Sequence, residues 1–280
     1  MKGLYIYFDF IRDEEREKHV GILKKIHGQR QCLERNLGGE CELVNLPRAL
    51  GQNSPLLFFS FLLSTRTFDL SPVTGRKYDY VYIRRIDPVC RSVIRMLRTL
   101  RKENPHGKIV WEIPSYPYDP LYRMTFPGKL KLPIDSFYRT KLVRYVDRIV
   151  TLTPDDKLFG CRTLKITNGA ECGMIPVSKK SSYDHESINL IAVAQFGFMH
   201  GYERVVKGLL HYQRKNIILH FVGDGDELRK YKALTKKYEL EAQVLFYGPL
   251  FGEQLSDIFN NADIALCPLA AHRANLFSPA

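Results

Sequence analysis

Residues 188–226 read INLIAVAQFGFMHGYERVVKGLLHYQRKNIILHFVGDGD. Two short apolar runs, Ile188–Ala194 and Ile217–Val222, flank an amphipathic stretch at Tyr202–Tyr212. An apolar strand, a helix and a second apolar strand make a βαβ unit, whose strands lie parallel and are covered on both faces. Toward the C-terminus the pattern predicts a helix at Glu227–Tyr238, a strand at Gln243–Phe246, a helix at Gly252–Asn260 and a strand at Asp263–Cys267. Toward the N-terminus, the Asn168-Gly169 turn signal and the polar stretch Ser178–Ser187 read as a linker. Before it the same alternation runs through strands at Gly3–Phe8, Glu42–Leu46, Tyr78–Ile83, Lys108–Ile113, Arg148–Leu152 and Thr163–Thr167. Helices are predicted between them at Lys18–Leu37, Pro88–Lys102 and Ser136–Tyr145. The expectation is an α/β protein of two Rossmann-like domains, 1–178 and 179–280, with the second incomplete.

The 280 residues are 45% hydrophobic, enough for real cores and against a disordered chain. Charge divides unevenly. Residues 1–178 hold 30 Lys+Arg against 19 Asp+Glu, a net of +11, and residues 179–280 hold 12 against 11, a net of +1. Such a front half attracts an anionic partner: a phosphorylated ligand, a membrane surface or nucleic acid. Nucleic-acid motifs are not apparent, so that reading rests on charge alone. Six cysteines, none in a C-x-x-C pair, signal neither zinc nor a redox dithiol and read as reduced thiols of a cytoplasmic protein. The N-terminus has no cleavable signal. The longest apolar run, Pro55–Leu63, is far shorter than the ~20 residues of a spanning helix and reads as a buried helix or an interfacial contact.

In open α/β sheets ligands gather at the carboxyl ends of strands. Three such junctions stand out. In Val193-Ala-Gln-Phe-Gly-Phe-Met-His200-Gly201-Tyr, a helix start offers N–H groups to a diphosphate, with His200 either a further donor or simply a capping residue. In Gly223-Asp-Gly225-Asp226, glycines let a ligand approach the backbone, and the two aspartates read as capping residues rather than a metal pair. In Phe246-Tyr-Gly248-Pro, Gly248 either admits a flat base or makes an ordinary turn.

Taken together, these blocks resemble family 4 glycosyltransferases of the GT-B fold. The carrying text is Gln195…His200-Gly201, Val222-Gly-Asp-Gly225, Val244-x-Phe-x-Gly248 with Glu253-Gln-Leu255, and Asn261-Ala-Asp263-Ile-Ala-Leu-Cys-Pro268, over roughly residues 160–270. The resemblance implies two Rossmann-like domains facing a cleft. Donor-binding positions would be Gly21, Gln195, His200, Gly201, Gly223, Gly225 and Gly248. Lys24, Tyr116 and Tyr118 would stand on the acceptor side, with Glu112 and Asp119 as cleft candidates for catalysis. The family places Arg and Lys at the first junction where this chain has Gln195 and His200, and a His where it has Glu112. Glu112 is open to two readings, a polar role in the cleft or a hydrogen-bonded structural carboxylate.

The family also carries two glutamates separated by seven residues near the end of its second domain, and no such pair follows residue 171 here. His272 and Arg273 stand near where that region would begin. The resemblance therefore implies a chain that stops early. The expected activity is retaining transfer of a sugar from a nucleotide diphosphate sugar to a hydroxyl acceptor, a glycan or lipid-linked molecule, in polysaccharide assembly. No metal or other cofactor is expected, and peripheral contact with an anionic membrane at its inner face fits the basic front half. The alternative is an inactive relative that binds nucleotide sugars or a partner.

Overall fold

The computed structural model describes residues 1–8, 20–46, 69–84, 86–123, 126–167, 169, 186–197 and 200–267. They form two compact units, the first mainly Met1–Ala170 and the second mainly Glu171–Asn275. The expected boundary at 178 lies outside the described residues, as do Pro55–Leu63, His272 and Arg273.

The first unit runs β1 (Lys2–Tyr7), α1 (Val20–Leu37), β2 (Glu40–Asn45), β3 (Tyr80–Arg84), α2 (Arg91–Glu103) and β4 (Lys108–Ile113). It continues with α3 (Asp119–Arg123), α4 (Phe126–Arg139), a 3-10 turn (Leu142–Arg144), β5 (Arg148–Thr151), β6 (Lys157–Leu158) and β7 (Cys161–Lys165). The sheet order is β2-β1-β3-β4-β5-β7-β6, parallel except for the β6–β7 pair. Successive strand residues point to opposite faces, so the sheet has two different cores. On one, Leu4, Ile6, Val81, Ile83, Ile109 and Trp111 pack with Val93, Met96 and Leu97 of α2. On the other, Tyr5, Tyr80 and Tyr82 pack with Ile26 of α1. The strand order reverses between β1 and β3, where an open sheet leaves a crevice at its carboxyl edge.

Two elements depart from the sequence reading. The helix expected at Ser136–Tyr145 is instead α4, which begins at Phe126 and contains Pro133. Proline removes a helical hydrogen bond, and tertiary contacts offset the loss. Asp135, fully buried, accepts from the Val89 amide at 2.8 Å and the Tyr118 hydroxyl at 2.9 Å. The last strand begins at Cys161 because Phe159 and Gly160, both with positive φ, form a tight hairpin that pairs Leu158 with Cys161.

The second unit runs β8 (Ile188–Val193), α5 (Glu203–Leu209), β9 (Ile217–Val222), α6 (Leu228–Lys237), β10 (Val244–Gly248), α7 (Gly252–Asn261) and β11 (Ile264–Ala265). All pairs are parallel, in the order β10-β9-β8-β11. One face holds a ring-on-ring core in which Phe196 meets Tyr202 and Phe221 edge-on at 5.2 Å, and Tyr231 lies over Phe221 at 5.7 Å. The opposite face is polar in part. His220 of β9 bridges its neighbours there, Nε2 to Asn189 Oδ1 of β8 and Nδ1 to the Tyr247 hydroxyl of β10, both at 2.9 Å.

Burial holds the His220 imidazole below its ordinary value of 6.5. The folded state therefore resists a proton that the unfolded chain accepts, and stability present above pH 6.5 is lost as pH falls through the folded value. Denaturant midpoints measured from pH 7.5 to pH 5 should fall along this limb, and His220→Gln should flatten it.

Candidate functional site

The three glycine-bearing junctions meet at the carboxyl ends of β8, β9 and β10, joined by backbone. Beyond the strand ends the ladder continues. Ala194 N–H donates to Val222 O at 3.1 Å, Phe196 N–H to Asp224 O at 2.7 Å, Glu227 N–H to Phe196 O at 3.1 Å and Gly223 N–H to Gly248 O at 2.8 Å. Gly223 (φ +132°) and Gly225 (φ +149°) make this possible. A Cβ on Gly223 would lie 2.0 Å from Ala194 O, and one on Gly225 would lie 2.4 Å from Phe196 O. This corrects the reading in which these two glycines admit a ligand: the space their missing side chains leave is filled by the β8–α5 loop. Gly248 (φ +73°) differs, with nothing within 4 Å of its Cβ position, so its open side remains accessible.

At the first junction Gly201 is left-handed (φ +66°) and turns the chain into α5. The N–H groups of Gly201 and Glu203 have no backbone partner among the described residues, as is usual where a helix begins, whereas the Tyr202 N–H faces the Tyr231 hydroxyl. Helix α5 has only seven residues and carries Glu203 in its first turn, so its own dipole contributes less than the sequence suggested. His200 supplies more. Its Nδ1 accepts from the Gly197 amide at 3.1 Å, which requires a lone pair on Nδ1 and puts the neutral ring's proton on Nε2. That Nε2–H has no partner among the described residues, so His200 is an oriented donor at the strand end. Gln195, beside it, is exposed.

In the first unit the candidates separate. Gly21 lies inside the first turn of α1, exposed and with nothing within 4 Å of its Cβ position, and Lys24 is exposed one turn later. Glu112 is 1% exposed. Its register partner across the β3–β4 pair is Arg84, whose Nη1 donates to Glu112 Oε1 at 3.0 Å. Gln29 of α1 donates to the same oxygen at 3.4 Å and accepts from the Tyr5 hydroxyl at 2.7 Å, while Tyr5 stacks on Tyr82 with centroids 5.0 Å apart. Lys25 of α1 faces this group. Its pKa is lowered, by burial first and with Arg84 adding, against the opposing pull of Glu112. The Tyr82 hydroxyl is pushed far up by burial and then by Glu112. Through Oε1, Glu112 is a counter-charge to Arg84 beneath α1, while its Oε2 is buried without a hydrogen-bond partner.

Asp119 and Tyr118 are also committed internally. Arg139 grips Asp119 through both nitrogens, at 2.6 and 3.1 Å. Tyr118 is 2% exposed, its hydroxyl on Asp135. In this geometry Asp119 is the ion-pair partner of Arg139, and Tyr118 packs in the core. Tyr116 is half-buried against Tyr118 and Phe159. Sequence reasoning missed Tyr5, Lys25, Gln29 and Arg84. The one available signal was Arg84 standing at an inward-facing strand position. Among the described residues no cluster of three His, Cys, Asp or Glu could hold a metal ion, and no helix is long and apolar enough to cross a membrane.

Residues 176–271, which include all three junctions, match the family model described as Glycosyl transferases group 1. No curated protein matches the sequence. Among solved structures, HepE of Anabaena in complex with UDP superposes with a TM-score of 0.53, at 14% identity over 99% of this chain and 78% of that one. The apo lipopolysaccharide outer core galactosyltransferase WaaB superposes with a TM-score of 0.52, at 12% identity over 94% of this chain and 72% of that one. A glycosyltransferase from Rickettsia africae gives 0.50, at 10% identity over 94% and 72%. The chain shares the GT-B fold of these structures. In this GT-B protein the glycosyl transferases group 1 segment coincides with the parallel sheet whose carboxyl edge carries His200, Gly201 and Gly248.

Proposed function

We propose that the protein moves a sugar from a nucleotide diphosphate sugar to a hydroxyl of a glycan or lipid-linked acceptor, with retention at the anomeric carbon, in polysaccharide assembly. The observation that carries this reading is the oriented Nε2–H of His200 at the strand end, beside the start of α5. Sugar transfer leaves negative charge on the departing diphosphate, and preorganised donors at that position lower the barrier. The open side of Gly248 would take the flat nucleobase, and Gln195 would border the donor. Lys24 and the exposed part of Tyr116 would face the acceptor. HepE, which shares the fold, has been solved with UDP and with UDP-glucose, in keeping with a uridine nucleotide at the corresponding edge.

Titration calorimetry with UDP tests the site. A hydrogen bond to a charged group contributes roughly 1.5–3 kcal/mol, so His200→Ala should weaken UDP binding by about 10- to 100-fold. His200→Gln, which keeps an N–H donor, should recover part of the loss. Unchanged UDP affinity in His200→Ala would remove the diphosphate from this junction.

A further inference from the structure

The first unit holds a groove lined by none of the donor or acceptor candidates named above. It has a volume of about 270 Å³ and lies between α2 and the segment joining α4 to the 3-10 turn. Arg91, Arg95 and Arg98 line one wall, and Lys141 and Arg144 line the other. No carboxylate lines it. Among the described residues none of these five cations has an ion-pair partner; Arg98 reaches only the Tyr145 hydroxyl, at 3.4 Å. Arg91, Arg95 and Arg98 recur at i, i+4 and i+7, on one side of a helix whose other side is buried through Val93, Met96, Leu97 and Leu100. Like charges at that spacing repel. Five of them around one hollow make a field that an anion relieves.

A second observation points to where the anion sits. Phe126 is 75% exposed and Phe137 59% exposed. They are eleven residues apart, three helical turns, and so share one side of α4. The buried positions Gly128 and Asp135 occupy its other side. Val143, beside Arg144, is also exposed. Lys141 joins the two features: it lines the groove while its Nζ lies 4.0 Å from the Phe137 ring centroid. Projecting aromatic rings on a helix flanked by cations are what a bilayer interface accepts, the rings entering the headgroup region and the cations meeting lipid phosphates. A nucleic-acid groove would instead stack bases on aromatic rings lining its floor, whereas these two rings stand on a convex helix surface.

We propose that the α2–α4 groove and the Phe126–Phe137 ridge dock the protein on an anionic lipid bilayer, a headgroup phosphate entering the groove. This deepens the reading in which the acceptor is lipid-linked, yet its test needs no sugar transfer. The full chain is sedimented with vesicles of phosphatidylglycerol and phosphatidylcholine, and with phosphatidylcholine alone. Binding is expected only to the first, and it should weaken with salt as the Debye length shrinks from ~10 Å at 0.1 M to ~3 Å at 1 M. The triple change Arg95→Gln/Arg98→Gln/Arg144→Gln should reduce binding on the order of 100-fold, at ~1 kcal/mol per cation. Lys77→Gln/Lys157→Gln/Arg162→Gln removes the same charge from exposed positions elsewhere in the unit and should cost less than about tenfold. Phe126→Ser/Phe137→Ser should weaken binding at low and high salt alike. Equal losses in the two charge triples would overturn the groove. So would an absence of vesicle binding, whether or not inorganic pyrophosphate or a single-stranded oligonucleotide binds instead. UDP titration of the groove triple should match the parent protein, so failure here is separable from failure of the donor site.

Discussion

Glu112→Ala should lower folding stability by roughly 3–5 kcal/mol, because it leaves the Arg84 guanidinium buried without its counter-charge. In a chain of this size that is a drop of about 6–20 °C in Tm. Arg84 is only 15% exposed, and Lys25 lies nearby with its charge already disfavoured by burial. Removing the carboxylate therefore strands one cation and destabilises a second. Replacing Arg84 as well, by methionine, should return most of the loss, since two apolar groups in place of a buried pair are often neutral. Glu112→Gln, which still offers Arg84 an acceptor, should fall between. If Glu112→Ala instead melted with the parent protein and abolished sugar transfer, Glu112 would be the catalytic carboxylate after all.

Gly223→Ala should be nearly as damaging, in the other unit. A non-glycine residue at φ +132° is strained by ~1–3 kcal/mol. Here the new Cβ would also meet backbone, the Ala194 carbonyl, which no rotamer change relieves. The β9–α6 loop must then separate from the β8–α5 loop and give up the bonds Phe196 makes to Asp224 and Glu227. The total expected cost is at least ~3 kcal/mol. UDP affinity should fall with it, since His200 stands on the displaced loop. Gly248→Ala provides the contrast. It has positive φ but open space, so only the strain of ~1–3 kcal/mol applies. If Gly223→Ala melted within about a degree of the parent protein, the close approach of these loops would not be what the glycine serves.

The legible parts of this protein were those written in local periodicity. Runs such as Ile217–Val222 lie in a parallel sheet, and their apolar character and the glycines after them survive in one sequence without any partner in view. Helix α4 was obscured because Gly128 and Pro133 are poor helix formers, and the contact that holds it joins Asp135 to Val89, 46 residues earlier. The junction glycines were noticed, but their reason was not. A glycine that admits a ligand and one that admits another loop look alike until the second loop is placed. The charge cluster under α1 was least legible, because Gln29 and Glu112 are 83 positions apart and nothing local to either names the other. His200 is intermediate. Its place after a strand was readable, whereas the proton on Nε2 follows from a contact with Gly197 that only the folded loop makes.

Trp111 is the chain's one tryptophan, and it is fully buried in the first unit. The protein therefore carries a built-in optical label on one half only. Indole excited at the red edge of its absorption, where tyrosine is silent, emits from an apolar core and shifts to longer wavelength when water reaches it. That signal follows the opening of the first unit and is blind to the second, whose rings are phenylalanine and tyrosine. The two substitutions above fall on opposite sides of this divide. Glu112→Ala should move the emission-detected transition, and Gly223→Ala should leave it in place while the far-ultraviolet dichroism of the helices melts early. Whether the two traces coincide or separate would tell directly whether the halves unfold as one cooperative body or as two.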